Sequence, residues 1–181
     1  DHQKLVALGS ALTGREVVET QQATVHDLPL VVFHLESEAY GLRLEEVREI
    51  IMVGLITPVP RAPSFIEGVL NLRGEVMPVI DLRGRFGLAP EARTSLSRIV
   101  ITPIGGVFTG LVVDSVDEVK TVDERNLEEP PRVTSVGSNA YIQKVVRTEA
   151  GVVFLLDLQR LLTGMEGGQL EAFQGRKRVE P

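Results

Sequence analysis

The sequence predicts a mainly β protein, two small barrels sharing one hydrophobic core, with short helices attached. Two observations lead there. Short runs rich in Val, Ile, Leu and Phe alternate with Gly, Pro and Ser turns along most of the chain. The pattern also occurs twice. Phe65-Ile66, Val69-Leu70, Val76-Met77, Val79-Ile80 and Asp81-Leu82 return in order as Tyr141-Ile142, Val145-Val146, Val152-Val153, Leu155-Leu156 and Asp157-Leu158. Upstream, Gly41-Leu42, Leu44-Glu45, Val47 and Glu49-Ile50 return as Gly110-Leu111, Val113-Asp114, Val116 and Glu118-Val119. Units of about 60 residues are small for independent stability, so the two halves should share apolar core.

Taken in order, residues 1–27 read as an N-terminal extension in which Leu5, Leu8 and Leu12 have helical spacing but Gly9 and Gly14 weaken it. Residues 28–162 form the patterned domain, with pseudo-repeats over about 28–88 and 97–162. Pro29 to Glu36 and Tyr40 to Leu44 are strands about a turn at Ser37 to Ala39. A further strand over Val47 to Ile51 puts Val47, Glu49 and Ile51 on one face. Pro58, Pro60 and Pro63 make Thr57 to Pro63 a stiff, extended loop. Ser64 with Glu67 three residues on has capping-box spacing and predicts a helical turn over Phe65 and Ile66.

Val69 to Leu72 and Val76 to Ile80 form a hairpin that shows Arg73 and Glu75 to solvent, and Asp81 caps a helical turn after it. Ala89 to Ser97 is a polar linker. Arg98 to Thr102 and Val107 to Val113 pair about Gly105-Gly106, Val116 to Val122 follows as a strand, and Pro130-Pro131 interrupts the chain ahead of a loop over Val133 to Ala140. A last hairpin joins Tyr141 to Arg147 with Val152 to Leu156, and Asp157 to Leu162 is an amphipathic helical turn or two. Residues 163–181 are a Gly-rich, charged tail.

Composition excludes several classes of function. The net charge of −6 opposes a phosphate backbone, and 4% aromatic content removes the usual base-stacking platform, so no nucleic-acid partner is expected. There is no cysteine, which excludes disulfides and thiolate metal sites and fits a reducing compartment. No apolar run approaches the roughly 20 residues of a membrane-spanning helix. A cytoplasmic location is expected. His2, His26 and His34 have no metal-ligand spacing, so no metal and no cofactor are expected. Asp114-Ser115 has the residue order of an aspartic-protease loop, but Val116 stands where that loop needs glycine. Asp81 and Asp157 read as caps rather than chemical groups, and no nucleophile–base constellation is present.

The stretch from Phe65 to Leu88 resembles the signature of the CheW family, the adaptors that couple chemoreceptors to the histidine kinase CheA. The matching residues are Phe65-Ile66, Gly68-Val69, Asn71-Leu72-Arg73-Gly74, Pro78-Val79, Asp81-Leu82-Arg83 and Phe86-Gly87-Leu88. The likeness covers roughly Leu28 to Leu162. It implies two five-stranded Src-homology-like barrels and a non-enzymatic scaffold in chemosensory signalling. It implies as partners the regulatory domain of a CheA-type kinase and the cytoplasmic tip of a chemoreceptor, with the membrane reached only through receptors. It also implies receptor binding at Val47, Glu49, Ile56, Gly68 and Arg73. One departure is Arg61, where family members often carry Asn. The alternatives are a detached regulatory domain of the kinase, which shares the fold, and a β-barrel hydrolase.

Overall fold

The computed structural model describes residues 25–131 and 140–162. Nearly all of the N-terminal extension, most of the loop before Tyr141 and the C-terminal tail lie outside the described residues. Ten strands are described: β1 Asp27–Leu35, β2 Glu38–Arg43, β3 Glu49–Met52, β4 Ile66–Leu72, β5 Glu75–Asp81, β6 Arg98–Ile104, β7 Val107–Val113, β8 Ser115–Asp123, β9 Ile142–Thr148 and β10 Gly151–Leu156. A short helix, α1, spans Leu82–Arg85, and single 3-10 turns occupy Leu44–Glu46, Glu124–Asn126 and Leu158–Leu162.

The strands form two five-stranded sheets, ordered β8-β1-β2-β10-β9 and β3-β6-β7-β5-β4. Each curls into a barrel that closes through one isolated bridge. Just past β3, Thr57 pairs with Val69 of β4; just past β8, Glu128 pairs with Val145 of β9. Val69 and Val145 are equivalent residues of the two repeats, so the repeat extends to the closure itself.

The repeats are not the barrels. The first barrel takes β1 and β2 from the first half and β8, β9 and β10 from the second; the other barrel takes the reverse. The exchange is made by two pairings in each barrel, the parallel β2–β10 and antiparallel β1–β8 in one and the parallel β5–β7 and antiparallel β3–β6 in the other. At equivalent positions Gly41 lies opposite Leu155 and Gly110 opposite Val79. Sequence similarity between the halves reports common ancestry of segments, and says nothing of which half each strand pairs with.

This arrangement explains the unbroken apolar runs. Leu28, Leu30 and Val32 fill the first barrel with Val146, Val153 and Leu155. Leu70, Met77, Val79, Ile99, Ile101 and Val112 fill the second. Intervening residues on the same strands, among them Phe33, Leu35, Ile80, Leu111 and Val113, pack between the barrels. Strands covered on both faces show continuous rather than alternating hydrophobicity. Val79 and Ile80 are therefore both fully buried, one in each layer. Aromatic rings run through the central layer, with Tyr40 within 5.9 Å of Phe33 and 5.4 Å of Phe86, which stacks on Tyr141 at 5.3 Å.

Three local expectations change. The strand over Val47 to Ile51 begins only at Glu49, because the chain crosses from one barrel to the other through the 3-10 turn Leu44–Glu46. That turn is closed by the Arg43 amide donating to Glu46 Oε1 at 3.0 Å. No helix forms at Phe65 and Ile66. The Ile66 amide closes a single turn onto the Pro63 carbonyl at 2.9 Å, and the Glu67 carboxylate pairs with Arg93 instead of capping. The β1–β2 turn is Glu36-Ser37, one step earlier than expected. Both Asp caps form: Asp81 accepts from the Arg83 amide at 3.2 Å and Asp157 from the Gln159 amide at 3.0 Å.

Because each half lacks strands that close its barrel, a fragment ending at residue 97 and one starting at 98 should each fail to unfold cooperatively when alone. Mixed, they should regain a single thermal transition in circular dichroism. Cooperative melting of either fragment alone would contradict the exchange. Ile80→Ala should destabilise the whole chain by about 2–5 kcal/mol in denaturant titration, through the cavity it leaves between the barrels.

Candidate functional site

The site begins at the β4–β5 turn. Leu72 and Glu75 are paired, so Arg73 and Gly74 alone make the reversal, with φ of 52° and 88°. Two consecutive left-handed residues are the mark of the type I′ turn, whose twist suits a hairpin. Glycine meets this without strain at the second place, and Asn71 Oδ1 accepts from the Gly74 amide at 2.9 Å. Arg73 takes the first place despite its side chain, and that geometry carries its guanidinium back toward β3.

There it donates to Glu49 Oε1. Beside it Arg48 Nη1 donates to Glu75 Oε1 at 3.0 Å, and the Arg48 guanidinium lies 4.2 Å from the centre of the Phe108 ring. Two ion pairs thus join β3 and the residue before it to the hairpin tip. Glu49 is not simply outward-facing: its side chain is 29% exposed, whereas Arg73 is 66% exposed. Ile51, Val53, Ile56, Leu72 and Phe108 pack against the interior of the second barrel.

The predicted site residues occupy different environments. Glu49 and Arg73 are in direct contact. Ile56 is half-buried against the second barrel's interior, on the loop that closes the barrel. Gly68 is buried beneath that loop: a Cβ there would stand 2.2 Å from the Thr57 carbonyl oxygen. Only glycine admits such an approach, so Gly68 shapes this face by letting the loop lie flat. Val47, one residue before Arg48, packs against the core between the barrels.

A second polar centre was not legible in the sequence. Arg83 of α1 is 7% exposed. Its guanidinium donates to both oxygens of Asp114 at 2.9 Å, to Glu91 at 2.6 Å and to the Ala89 carbonyl at 2.8 Å. Asp114 also accepts from the Glu36 amide at 2.8 Å. It stands where the chain passes from β7 of one barrel to β8 of the other. Burial pushes the Asp114 carboxyl up, but the Arg83 hydrogen bonds, the Glu36 amide and the guanidinium charge outweigh this and hold it below the usual carboxylate range. An open cavity of about 430 Å³ lies alongside, lined in part by Asp81, Arg83, Glu91, Arg93 and Asp114. A carboxylate so neutralised is a poor general base or acid. Glu36, Arg83 and Asp114 were visible singly; their convergence needed the exchange of strands.

Among the described residues no cluster of His, Asp and Glu has the geometry to hold a metal ion. No described helix is long and apolar enough to cross a membrane.

Asp114→Asn should lower stability at neutral pH by about 2–4 kcal/mol, because it leaves a buried guanidinium short of charge. The folded carboxyl titrates below its unfolded value, so its contribution is complete above the ordinary carboxylate range and is lost as pH falls through the folded value. Wild type and variant should therefore converge in acid urea titrations. A gap that stays constant down to acid pH would rule out the charge as its origin.

Comparison with known proteins bears on this arrangement. Residues 29–166 match the family model described as the CheW-like domain. Chemotaxis protein CheW of Treponema pallidum is 34% identical over 142 residues, covering 76% of this chain and 83% of that protein. Chemotaxis protein CheW of Bacillus subtilis is 32% identical over 133 residues, covering 74% and 85%. Among solved structures, the scaffolding protein TtCheW of Thermoanaerobacter tengcongensis superposes with a TM-score of 0.71 at 39% identity, over 77% of this chain and 94% of that one. The match takes in both barrels, both repeats and both polar centres, and by it the chain belongs to the CheW-like domain family.

Proposed function

We propose that this protein is a non-catalytic, cytoplasmic adaptor that couples chemoreceptors to a CheA-type histidine kinase. The carrying observation is the face made by Glu49, Arg73 and the loop over Gly68, on a fold whose relatives are chemotaxis and scaffolding proteins. Its charges are held by rigid elements, a two-residue turn and a strand, so a partner meets them already placed. The receptor's cytoplasmic tip docks on this face. The regulatory domain of the kinase, which shares the barrel fold, pairs with barrel ends elsewhere. The signal passes as a change in how the two partners are held, with no bond made or broken in the adaptor. The carboxylate that stood nearest to a catalytic reading, Asp114, is committed to Arg83, which disfavours a hydrolase.

Charge exchange between Glu49 and Arg73 tests this reading. An ion pair this exposed contributes only about 0.2–1 kcal/mol to folding, so Glu49→Lys and Arg73→Glu should each melt close to wild type. Each should weaken binding of a chemoreceptor cytoplasmic fragment by about 2 kcal/mol or more, while a CheA-type kinase fragment still binds. The double variant restores the internal pair with its polarity inverted, so stability should recover and receptor binding should not. Unchanged receptor affinity in all three would move the docking face elsewhere.

A further inference from the structure

The loop after β3 carries an arginine that the ion pairs described so far leave aside. The Ala62 amide donates to the Val59 carbonyl at 3.3 Å, closing a turn with Pro60 second and Arg61 third. Arg61 has a φ of 62°. Proline at the second place and a left-handed residue at the third is the pattern of a type II turn, where Gly or Asn meets the backbone requirement at least cost. A long cationic side chain there is the more strained choice, and strain of this kind is a pointer to use.

The side chain is exposed and has no acceptor among the described residues. Among the described residues every other arginine donates to a carboxylate, an amide or a carbonyl oxygen: Arg48 to Glu75, Arg85 to Leu161 and Arg93 to Glu67 are examples, and the rest do likewise. Arg61 alone among them is left open, on a chain whose net charge is −6. The backbone that carries it is fixed at several points. Ile56 packs on the second barrel, Thr57 is bonded both ways to Val69 at 2.9 and 2.8 Å, and Val59 and Ala62 pack against the central core. Pro58, Pro60 and Pro63 fix their own φ values besides.

We propose that Arg61 is a recognition residue which takes a carboxylate of the docked receptor and so helps set which receptors this adaptor accepts. The inference rests on the adaptor reading and deepens it, because the loop is the one that covers Gly68 on the proposed docking face. A guanidinium is suited to this: it offers a planar fork to a carboxylate, and here its backbone is ordered before the partner arrives.

The test uses the full chain, a chemoreceptor cytoplasmic fragment and a CheA-type kinase fragment, with Arg61→Asn and Arg61→Lys as variants. Arg61→Asn keeps the left-handed backbone, so it should melt no lower than wild type. It should bind the receptor fragment about tenfold more weakly, with a shallower dependence of affinity on salt, and bind the kinase fragment as before. Arg61→Lys should keep the salt dependence and recover part of the affinity. If wild type binds the receptor fragment and Arg61→Asn binds it equally well, with the same salt dependence, the inference is overturned and the adaptor reading stands. If wild type binds no receptor fragment, the adaptor reading falls and this inference with it.

Discussion

Four pairings between the halves, β2 with β10 and β1 with β8 in one barrel and β5 with β7 and β3 with β6 in the other, hold this fold together, because through them each half of the chain completes the other's barrel. Everything between the barrels follows. A strand shared in this way has one face in a barrel and the other toward the neighbouring barrel, so it needs apolar residues at consecutive positions. Val31 to Phe33, Met77 to Ile80 and Leu111 to Val113 meet that need, and all are nearly inaccessible. The result is one continuous core in three layers rather than two domains joined by a linker. An interface this apolar opposes independent motion of the barrels.

Onto that rigid frame the chain sets its charges unevenly. Arg83 is buried and Asp114 half-buried at the crossing from β7 to β8, with the more exposed Glu36 and Glu91 beside them. Such a pair owes much of its value to fixing one arrangement against others, since desolvation consumes most of its attraction. Glu49 with Arg73 and Arg48 with Glu75 are more exposed and contribute little to folding; their geometry matters for what approaches from outside.

The strands, the hairpins, the caps at Asp81 and Asp157 and the duplication were legible in the sequence because each is written locally, in period, turn residues or capping spacing. The exchange of strands was not. Two equivalent halves can each close a barrel or trade segments with the same hydrophobic pattern, and only long-range pairing separates the two. The same limit hid the Arg83 centre, whose partners Glu36, Glu91 and Asp114 come from separate segments. At the candidate site Arg73 and Glu49 were legible as charges in apolar surroundings; that they face each other was not, because Glu49 reads as outward until β3 is placed beside the hairpin tip. Ser64 and Glu67 show the opposite failure. Their spacing is that of a capping box, but Ile66 and Gly68 on either side of Glu67 pair with β5 and the Glu67 carboxylate pairs with Arg93.

Arg85 lies about equally far from the Phe65 and Tyr141 rings, 5.0 Å from each, and donates to the Leu161 carbonyl at 3.0 Å. Phe65 and Tyr141 are equivalent residues of the two repeats, and so are Arg85 and Leu161. The guanidinium therefore sits at the place the repeats have in common, where a symmetric object has room for one occupant. Two copies of the first half would bring two arginines to that spot, and two copies of the second would bring none. If the fold arose from a pair of identical half-length chains, this residue makes the step a one-way one: the halves have become a lock and its key, and neither can serve again as its own partner.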